Sequence, residues 1–127
     1  MEFRNNHRVL TIALLFLLTL MAATSCKQEI SPRLKEIDRS IDKDYNIGEQ
    51  ALDSMERLGL LEAKPNHMYS QLLRLKIADK GYHPIKNRKK EIDSLVNYFQ
   101  GQKDGDALAQ AYYLAGRVNS DLGDSPK

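Results

Sequence analysis

The segment at residues 107–124, ALAQAYYLAGRVNSDLGD, decides the predicted fold. Its apolar or small residues recur at the spacing of a helix with one buried face: Leu108, Ala111, Tyr112, Ala115 and Leu122. Glycine inside a helix costs about 1 kcal/mol relative to alanine, so Gly116 predicts a close approach by the backbone of another helix. Gly123 and Asp124 are typical of a helix end followed by a turn.

Four further helices are predicted upstream, at residues 32–43, 47–58, 65–80 and 88–100. Proline begins two of them, glycine ends three of them, and residues 44–46 predict a break between the first two. Asp104 is a natural N-cap for the last helix. Short connections without strand-type alternation predict an all-α fold of antiparallel helical hairpins. The predicted buried residues of these four helices are Leu34, Ile37, Ile41, Ile47, Ala51, Leu52, Met55, Leu58, Met68, Tyr69, Leu72, Leu73, Leu75, Ile77, Ile92, Leu95, Val96 and Phe99. The helix at 65–80 has the widest apolar arc, so we expect it to be the most buried.

The bulk composition predicts one globular domain and excludes several classes of protein. Of the 127 residues, 42% are hydrophobic and 28% are charged, which is close to globular averages. The formal net charge of +2 is small and the charges are interspersed, so nothing indicates a nucleic-acid partner. A single cysteine, Cys26, excludes an internal disulfide framework and a cysteine-based zinc site.

Residues 1–25 have the composition of a secretory signal peptide. Arg4 and Arg8 give a positive start, and residues 9–23 are almost continuously apolar. This run is shorter than the roughly 20 apolar residues that a membrane-spanning helix needs. The alternatives are a leader that is cleaved without lipidation and an anchor that is not cleaved.

The end of the leader, Ala23-Thr24-Ser25-Cys26, resembles the lipobox of bacterial lipoproteins, although a larger aliphatic residue is usual in place of Ala23. The resemblance implies cleavage before Cys26, lipid on its thiol, and acylation of the new amino group, with palmitate among the expected chains. Several acyl chains together anchor a protein stably at a bilayer. Residues 26–32 would then be a lipidated tether. We expect a protein of the bacterial cell envelope, and Lys27 resembles a signal for the outer membrane.

The last helix also resembles the first helix of a tetratricopeptide repeat, a helix–turn–helix unit of about 34 residues. Tyr112 and Gly116 take the large aromatic and the small positions of the pattern, whereas Ala115 and Asn119 depart from it. The spacing from Tyr69, the comparable residue upstream, exceeds the family period. The resemblance implies a degenerate tetratricopeptide-like α-solenoid fragment; an irregular helical bundle is the alternative.

Residues 26–127 as a whole resemble the amino-terminal part of a group of bacterial, membrane-anchored tetratricopeptide proteins. The resemblance rests on Cys26 and on the segments at 51–55, 91–95 and 111–118. Some members of the group continue into further repeats, a transmembrane helix and a DNA-binding helix-turn-helix. The sequence stops where the second helix of the last repeat would begin. We therefore expect a helical domain at 33–127 whose last repeat is incomplete, in a chain that is part of a longer protein.

No arrangement of catalytic or metal-binding residues is evident in the sequence. His67 and His83 have no second ligand at metal spacing, and His7 belongs to the leader. Acidic residues two positions apart, such as Glu36 and Asp38, are interpreted as solvated helix faces. Phosphate-binding glycine loops and nucleophile–base patterns are absent from the sequence. We expect no enzyme activity, no cofactor, no metal and no small-molecule substrate.

The candidate binding site is the face that lines the groove in tetratricopeptide repeats. The resemblance places Tyr113, Arg117 and Ser120 on that face of the last helix. Tyrosine and arginine dominate the binding energy of many interfaces; the alternative is that these side chains simply face solvent. The basic run at 86–90 is interpreted as a solubilising helix start, with contact to anionic lipid headgroups as the alternative.

Together these features predict a lipid-anchored helical-repeat scaffold that mediates protein–protein interaction in the bacterial cell envelope. Its expected partners are the membrane, through lipid on Cys26, and a protein or peptide, without nucleic acid. Two alternatives stay open. One is the sensor portion of a membrane-anchored signalling or transcription regulator that stops before its output domain, and the other is a remnant without function of its own.

Overall fold

The computed structural model describes residues 2–23 and 29–123, and all regular structure in these ranges is helical. The elements are α1 (Glu2–Ala23), α2 (Pro32–Lys43), α3 (Tyr45–Arg57), α4 (Lys64–Lys80), a short 3-10 helix (Lys86–Arg88), α5 (Lys89–Gln100) and α6 (Gly105–Asp121). The predicted all-α class is confirmed. Within the described ranges, no helix has both the length and the apolar character needed to cross a membrane.

Side-chain caps fix where α2, α3 and α6 begin. Ser31, Asp44 and Asp104 each accept a hydrogen bond from a backbone N–H two or three residues further on. Asp44 also donates its own backbone N–H to the carbonyl of Ser40, at the end of α2. The predicted break at 44–46 is therefore too long. Asp44 alone separates the two helices, because it ends one and caps the other.

Alternate helices of the domain run in the same direction. Each helix from α2 to α6 packs on the next one along the chain, and α4 also packs on α2 and α6. Lys35 near the start of α2 pairs with Asp104 at the start of α6, and Asp38 bonds to Tyr69 in the first half of α4. Thus α2, α4 and α6 all begin at one end of the domain, which we call the Ser31 end. They finish at the other end, which we call the Tyr82 end.

The core is built around α4, as its wide apolar arc predicts. Six residues of α4 are buried, more than in any other described helix: Tyr69, Ser70, Leu72, Leu73, Leu75 and Ile77. The rings of Tyr69 and Phe99 meet edge to face with their centroids 6.3 Å apart, which joins α4 to α5. The predicted core residues of α2 and three of the four predicted on α5 are also buried: Leu34, Ile37, Ile41, Ile92, Leu95 and Phe99.

The predicted buried faces of α3 and α6 are partly wrong. Ile47 in α3 and Leu58 directly after it are 57% and 73% exposed, while Leu52 and Met55 are buried as predicted. Tyr112 in α6 and Leu122 directly after it are exposed, and the buried side chains of α6 are Ala107, Ala111, Leu114 and Val118. The reason is that α6 packs on both α4 and α5. Small alanines fit between two helices at close range, whereas a tyrosine there would overfill the space.

Gly48, rather than Gly116, is the glycine that permits close helix packing. Apart from the backbone of its own helix and its two chain neighbours, no described atom lies within 4 Å of the place where a Cβ of Gly116 would stand, so the predicted close approach there is wrong. A Cβ on Gly48 would instead clash with Cγ1 of Ile41, which is 1% exposed. The close approach occurs here because the one-residue connection at Asp44 brings the start of α3 against the end of α2.

Candidate binding groove

A cluster of polar side chains joins α2, α4 and α6 on the face that these helices share. The carboxylate of Asp38 accepts hydrogen bonds from Tyr69 Oη (2.6 Å), Lys76 Nζ (2.6 Å) and Gln110 Nε2 (2.9 Å). We call these four residues the Asp38 cluster. The side chain of Asp38 is only 15% exposed, so its interpretation as part of a solvated face is wrong. One carboxylate with donors from two other helices fixes the register of all three.

Burial and hydrogen bonding act in opposite directions on ionisation in the Asp38 cluster. Burial alone would raise the pKa of Asp38, but hydrogen bonds from Lys76, Tyr69 and Gln110 outweigh it and hold the pKa below its ordinary value of 3.8. Desolvation would lower the pKa of Lys76, but hydrogen bonds to Asp38 and Asp42 raise it. The pKa of Tyr69 is raised above its ordinary value, first by burial and second by the hydrogen bond to Asp38. At neutral pH the cluster therefore holds a carboxylate, an ammonium and a neutral phenol.

We expect the carboxylates of Asp38 and Asp104 to make the domain sensitive to acid. Burial would also raise the pKa of Asp104, but Lys35 and the backbone N–H of Ala107 lower it. Because the folded-state pKa of Asp38 and of Asp104 is below the unfolded value, their stabilisation is fully present above the unfolded value. It is lost as the pH falls through the folded-state pKa. The urea midpoint, followed by circular dichroism, should stay nearly constant from about pH 7 to 5 and fall below about pH 4.

The control for this prediction is Asp38→Asn, which keeps the shape of the side chain but cannot titrate. Its urea midpoint should be lower than that of the unmodified chain at neutral pH and should depend less on pH in the acid range. Identical acid slopes for the two proteins would contradict a stabilising role for the Asp38 carboxylate.

A groove opens beside the Asp38 cluster and extends to the Tyr82 end. It consists of two adjoining cavities of about 570 and 380 Å³ that share Asp79, Lys80 and Tyr113. The last turns of α2 and α4 and the second half of α6 line the larger cavity. Lys76 and Gln110 of the Asp38 cluster line the smaller one. In the part of the chain described, Oε1 of Gln110 is buried without a hydrogen-bond partner.

The structure places two of the three predicted site residues in this groove. Tyr113 is 60% exposed and lines both cavities, and Arg117 lines the larger one. Arg117 donates from Nε to Oδ1 of Asp79 across 3.2 Å, and this bond raises the pKa of the guanidinium group. Ser120 is exposed and lines neither cavity. The face that carries the groove therefore includes Tyr113 and Arg117 but stops short of Ser120.

Sequence patterns did not identify Asp79, Lys80 or Tyr82 as groove residues. Asp79 orients Arg117, and Nζ of Lys80 pairs with Asp42 at 3.1 Å. Tyr82 is 96% exposed and has a φ of 58°, which is uncommon for a residue other than glycine. Strained backbone of this kind clusters at binding and catalytic sites. The only sequence signal for it is an aromatic residue directly after the glycine that ends α4.

The lining of the groove is partly aromatic and partly charged. It combines tyrosine side chains with charged groups of both signs, several of which pair with each other across the helices. Within residues 2–23 and 29–123, no three His, Cys, Asp or Glu side chains are placed to hold a metal ion. His67 and His83 are both exposed and lie outside the groove.

The basic run at 86–90 also lies at the Tyr82 end, where α5 begins. Arg88 donates two hydrogen bonds of 2.8 Å to the carboxylate of Glu91. Nζ of Lys89 lies 3.6 Å from Asp93 and donates to Asn119 of α6 at 3.2 Å. These contacts join the 3-10 helix and the start of α5 to their neighbours.

Cys26, the predicted lipidation site, lies outside the described residues. No protein-family model, no curated protein and no solved structure matches the chain. The groove and the leader are therefore the two features of the chain that point to a function.

Proposed function

We propose that this chain is a lipid-anchored helical-repeat scaffold that binds a protein or peptide partner in the bacterial cell envelope. The observation that carries the proposal is the groove on the shared face of α2, α4 and α6, with Tyr113 and Arg117 in it. The anchor is the lipid expected on Cys26, and the partner lies in the groove. Neither role requires a metal, a cofactor or a catalytic group.

The packing order supports the repeat part of this proposal. α2 with α3, and α4 with α5, are antiparallel pairs, and α6 packs on both α4 and α5. The helices α2, α4 and α6 stack side by side, with α4 in contact with both α2 and α6. Stacking of this kind, in which each unit contacts its neighbours, is typical of helical repeat proteins, and it creates an extended binding face.

The residue types in the groove support the binding part of the proposal. Tyrosine offers a large rigid surface at low entropic cost, and arginine offers several hydrogen-bond donors in a planar group. Three tyrosines line the larger cavity: Tyr45, Tyr82 and Tyr113. Arg117 is held by Asp79, so part of its conformational freedom is already lost before a partner binds.

Mass spectrometry of the mature amino terminus tests the anchor. We expect a chain that begins at Cys26 and carries a thioether-linked lipid and an amide-linked acyl chain. The Cys26→Ser variant should keep its leader uncleaved or lose the lipid, and it should leave the membrane fraction if the leader is removed. A mature chain with an unmodified Cys26 would exclude the anchor.

A pull-down from solubilised cell envelopes tests the groove. Replacing both Tyr113 and Arg117 by alanine should reduce partner recovery by at least about tenfold, because tyrosine and arginine are enriched among residues that dominate binding. The matched control is Ser94→Ala with Asn97→Ala, on the exposed side of α5. Circular dichroism should show that both variants keep their helices. Equal recovery with the groove variant and with the control would contradict a role of Tyr113 and Arg117 in binding the partner.

A further inference from the structure

Two leucines project from a rigid turn at the Ser31 end of the domain. Leu58 and Leu60 are 73% and 51% exposed, on either side of Gly59, whose φ is +70°. The backbone N–H groups of residues 58–60 all donate to carbonyls in the last turns of α3, at distances of 3.0–3.1 Å. The next residue, Leu61, is buried. The hydrogen bonds from the turn to α3, together with the burial of Leu61 after it, hold the backbone that carries the two leucines in place.

The turn with the two leucines is at the same end of the domain as the tether. α3 runs back from the Tyr82 end, so its last residue, Arg57, lies where α2 and α4 begin. The backbone N–H of Ser31 donates to Oδ1 of Asn66 in the first turn of α4, across 2.7 Å. The chain therefore enters the domain beside the start of α4, and the 58–60 turn leads into that same helix.

The covalent chain sets how far this end can be from a lipid on Cys26. Five peptide units join the Cα atoms of Cys26 and Ser31. Even fully extended, they span at most about 18 Å. An anchored domain must therefore keep its Ser31 end within this distance of the lipidated Cys26. Exposed leucines at that end are held where burial among lipid chains is favourable.

We propose that the Ser31 end rests against the phospholipid bilayer, with Leu58 and Leu60 inserted among the lipids and the groove directed away from the membrane. This inference rests on the lipid anchor of the proposed function. The groove extends to the opposite end, which is about 25 Å away along the 17 residues of α4. The attraction is apolar rather than ionic, because exposed charges of both signs flank the turn: Arg57, Glu62 and Lys64.

The test uses fluorescent labels at the two ends of α3 in the full-length, lipidated chain. Ile47→Cys replaces an exposed apolar residue near the start of that helix, and Leu58→Cys replaces one directly after its last residue. The chain has a single cysteine, so the introduced thiol is the only one free to react when Cys26 carries lipid. Each variant is labelled with an environment-sensitive maleimide and reconstituted into phosphatidylcholine vesicles. The vesicles contain a fraction of lipid with a nitroxide on the upper acyl chain.

Flotation of the vesicles is measured first, and quenching is then measured on the floated protein. We expect the label at position 58 to lose most of its emission and the label at position 47 to lose little. Adding phosphatidylglycerol should not change either result, because the contact is apolar. Flotation with equal quenching at both positions, or quenching at position 47 alone, would overturn the orientation and leave the anchor standing. Two results would overturn the anchor and the orientation together. One is protein that does not float, and the other is labelling of Cys26 by maleimide in the chain without an introduced cysteine.

Discussion

Replacing Gly48 by alanine is expected to destabilise the domain by about 2–3 kcal/mol, near the upper end of the usual cost of overpacking. The added Cβ would meet Cγ1 of Ile41, an atom close to the backbone of α2 in a side chain that is 1% exposed. Ile41 is β-branched and cannot rotate away cheaply, so α2 and α3 must move apart. The preference of helices for alanine, about 1 kcal/mol, offsets part of this cost. Urea unfolding of the full chain, followed by circular dichroism, measures the loss.

Gly116→Ala is the matched control for this result. Gly116 is also inside a helix, but no described atom outside its own helix lies within 4 Å of the place where its Cβ would stand. Alanine there should stabilise the domain by about 0.5–1 kcal/mol, because it lowers the entropy lost on folding. If the two variants changed the urea midpoint equally, the close approach of α2 and α3 at Gly48 would be refuted.

Asp38→Ala is expected to destabilise the domain by about 2–3 kcal/mol, because hydrogen bonds to a charged group contribute about 1.5–3 kcal/mol and are not additive. The variant removes the acceptor shared by Tyr69, Lys76 and Gln110. It leaves a phenol and an amide without that partner. Lys76, whose side chain is 17% exposed, keeps its ion pair with Asp42 and its 3.4 Å bond to the backbone carbonyl of residue 38. The free energy of unfolding at pH 7, from urea titration, is the quantity to compare.

Two further variants show whether the effect comes from the cluster itself. Tyr69→Phe removes one donor and should cost about 1–1.5 kcal/mol, less than the loss of the shared acceptor. Asp53→Ala removes a carboxylate that also pairs across two helices, with Arg74 at 3.1 Å, but that is 54% exposed. An exposed ion pair contributes little, so this variant should change stability by less than about 0.5 kcal/mol. A loss for Asp38→Ala no larger than that for Asp53→Ala would contradict the role of Asp38.

Local rules were sufficient to predict where the helices lie. Proline and serine at the start of α2, glycine after α4 and α5, and the Asp104 cap act within a few residues, so the sequence shows them directly. The rotation of α6 about its own axis was not predictable in this way. It depends on packing against α4 and α5 together, and both Tyr112 and Leu114 are consistent with a buried face on periodicity alone.

The residues of the groove were also only partly predictable from the sequence. Tyr113 and Arg117 stand out because a repeat pattern assigns them to one face, but their neighbours Asp79 and Lys80 come from a helix whose sequence carries no such mark. Asp38 is the sharper case. An aspartate among charged residues of a short helix is typical of a solvated face, and only the three-dimensional contacts with Tyr69 reveal it as partly buried.

Distance along the chain also determines when each contact can form. α2 and α3 are joined by Asp44 alone, so their pairing needs only local contacts and can occur early. The bond from Gln110 to Asp38 spans 72 residues, and the pair of Lys35 with Asp104 spans 69. Such contacts require the closure of a long loop, and they can form only once α6 is present. Because the chain is made from its amino terminus, α2 to α5 are complete before Gln110 is added, and Asp38 lacks one of its three hydrogen-bond donors until then.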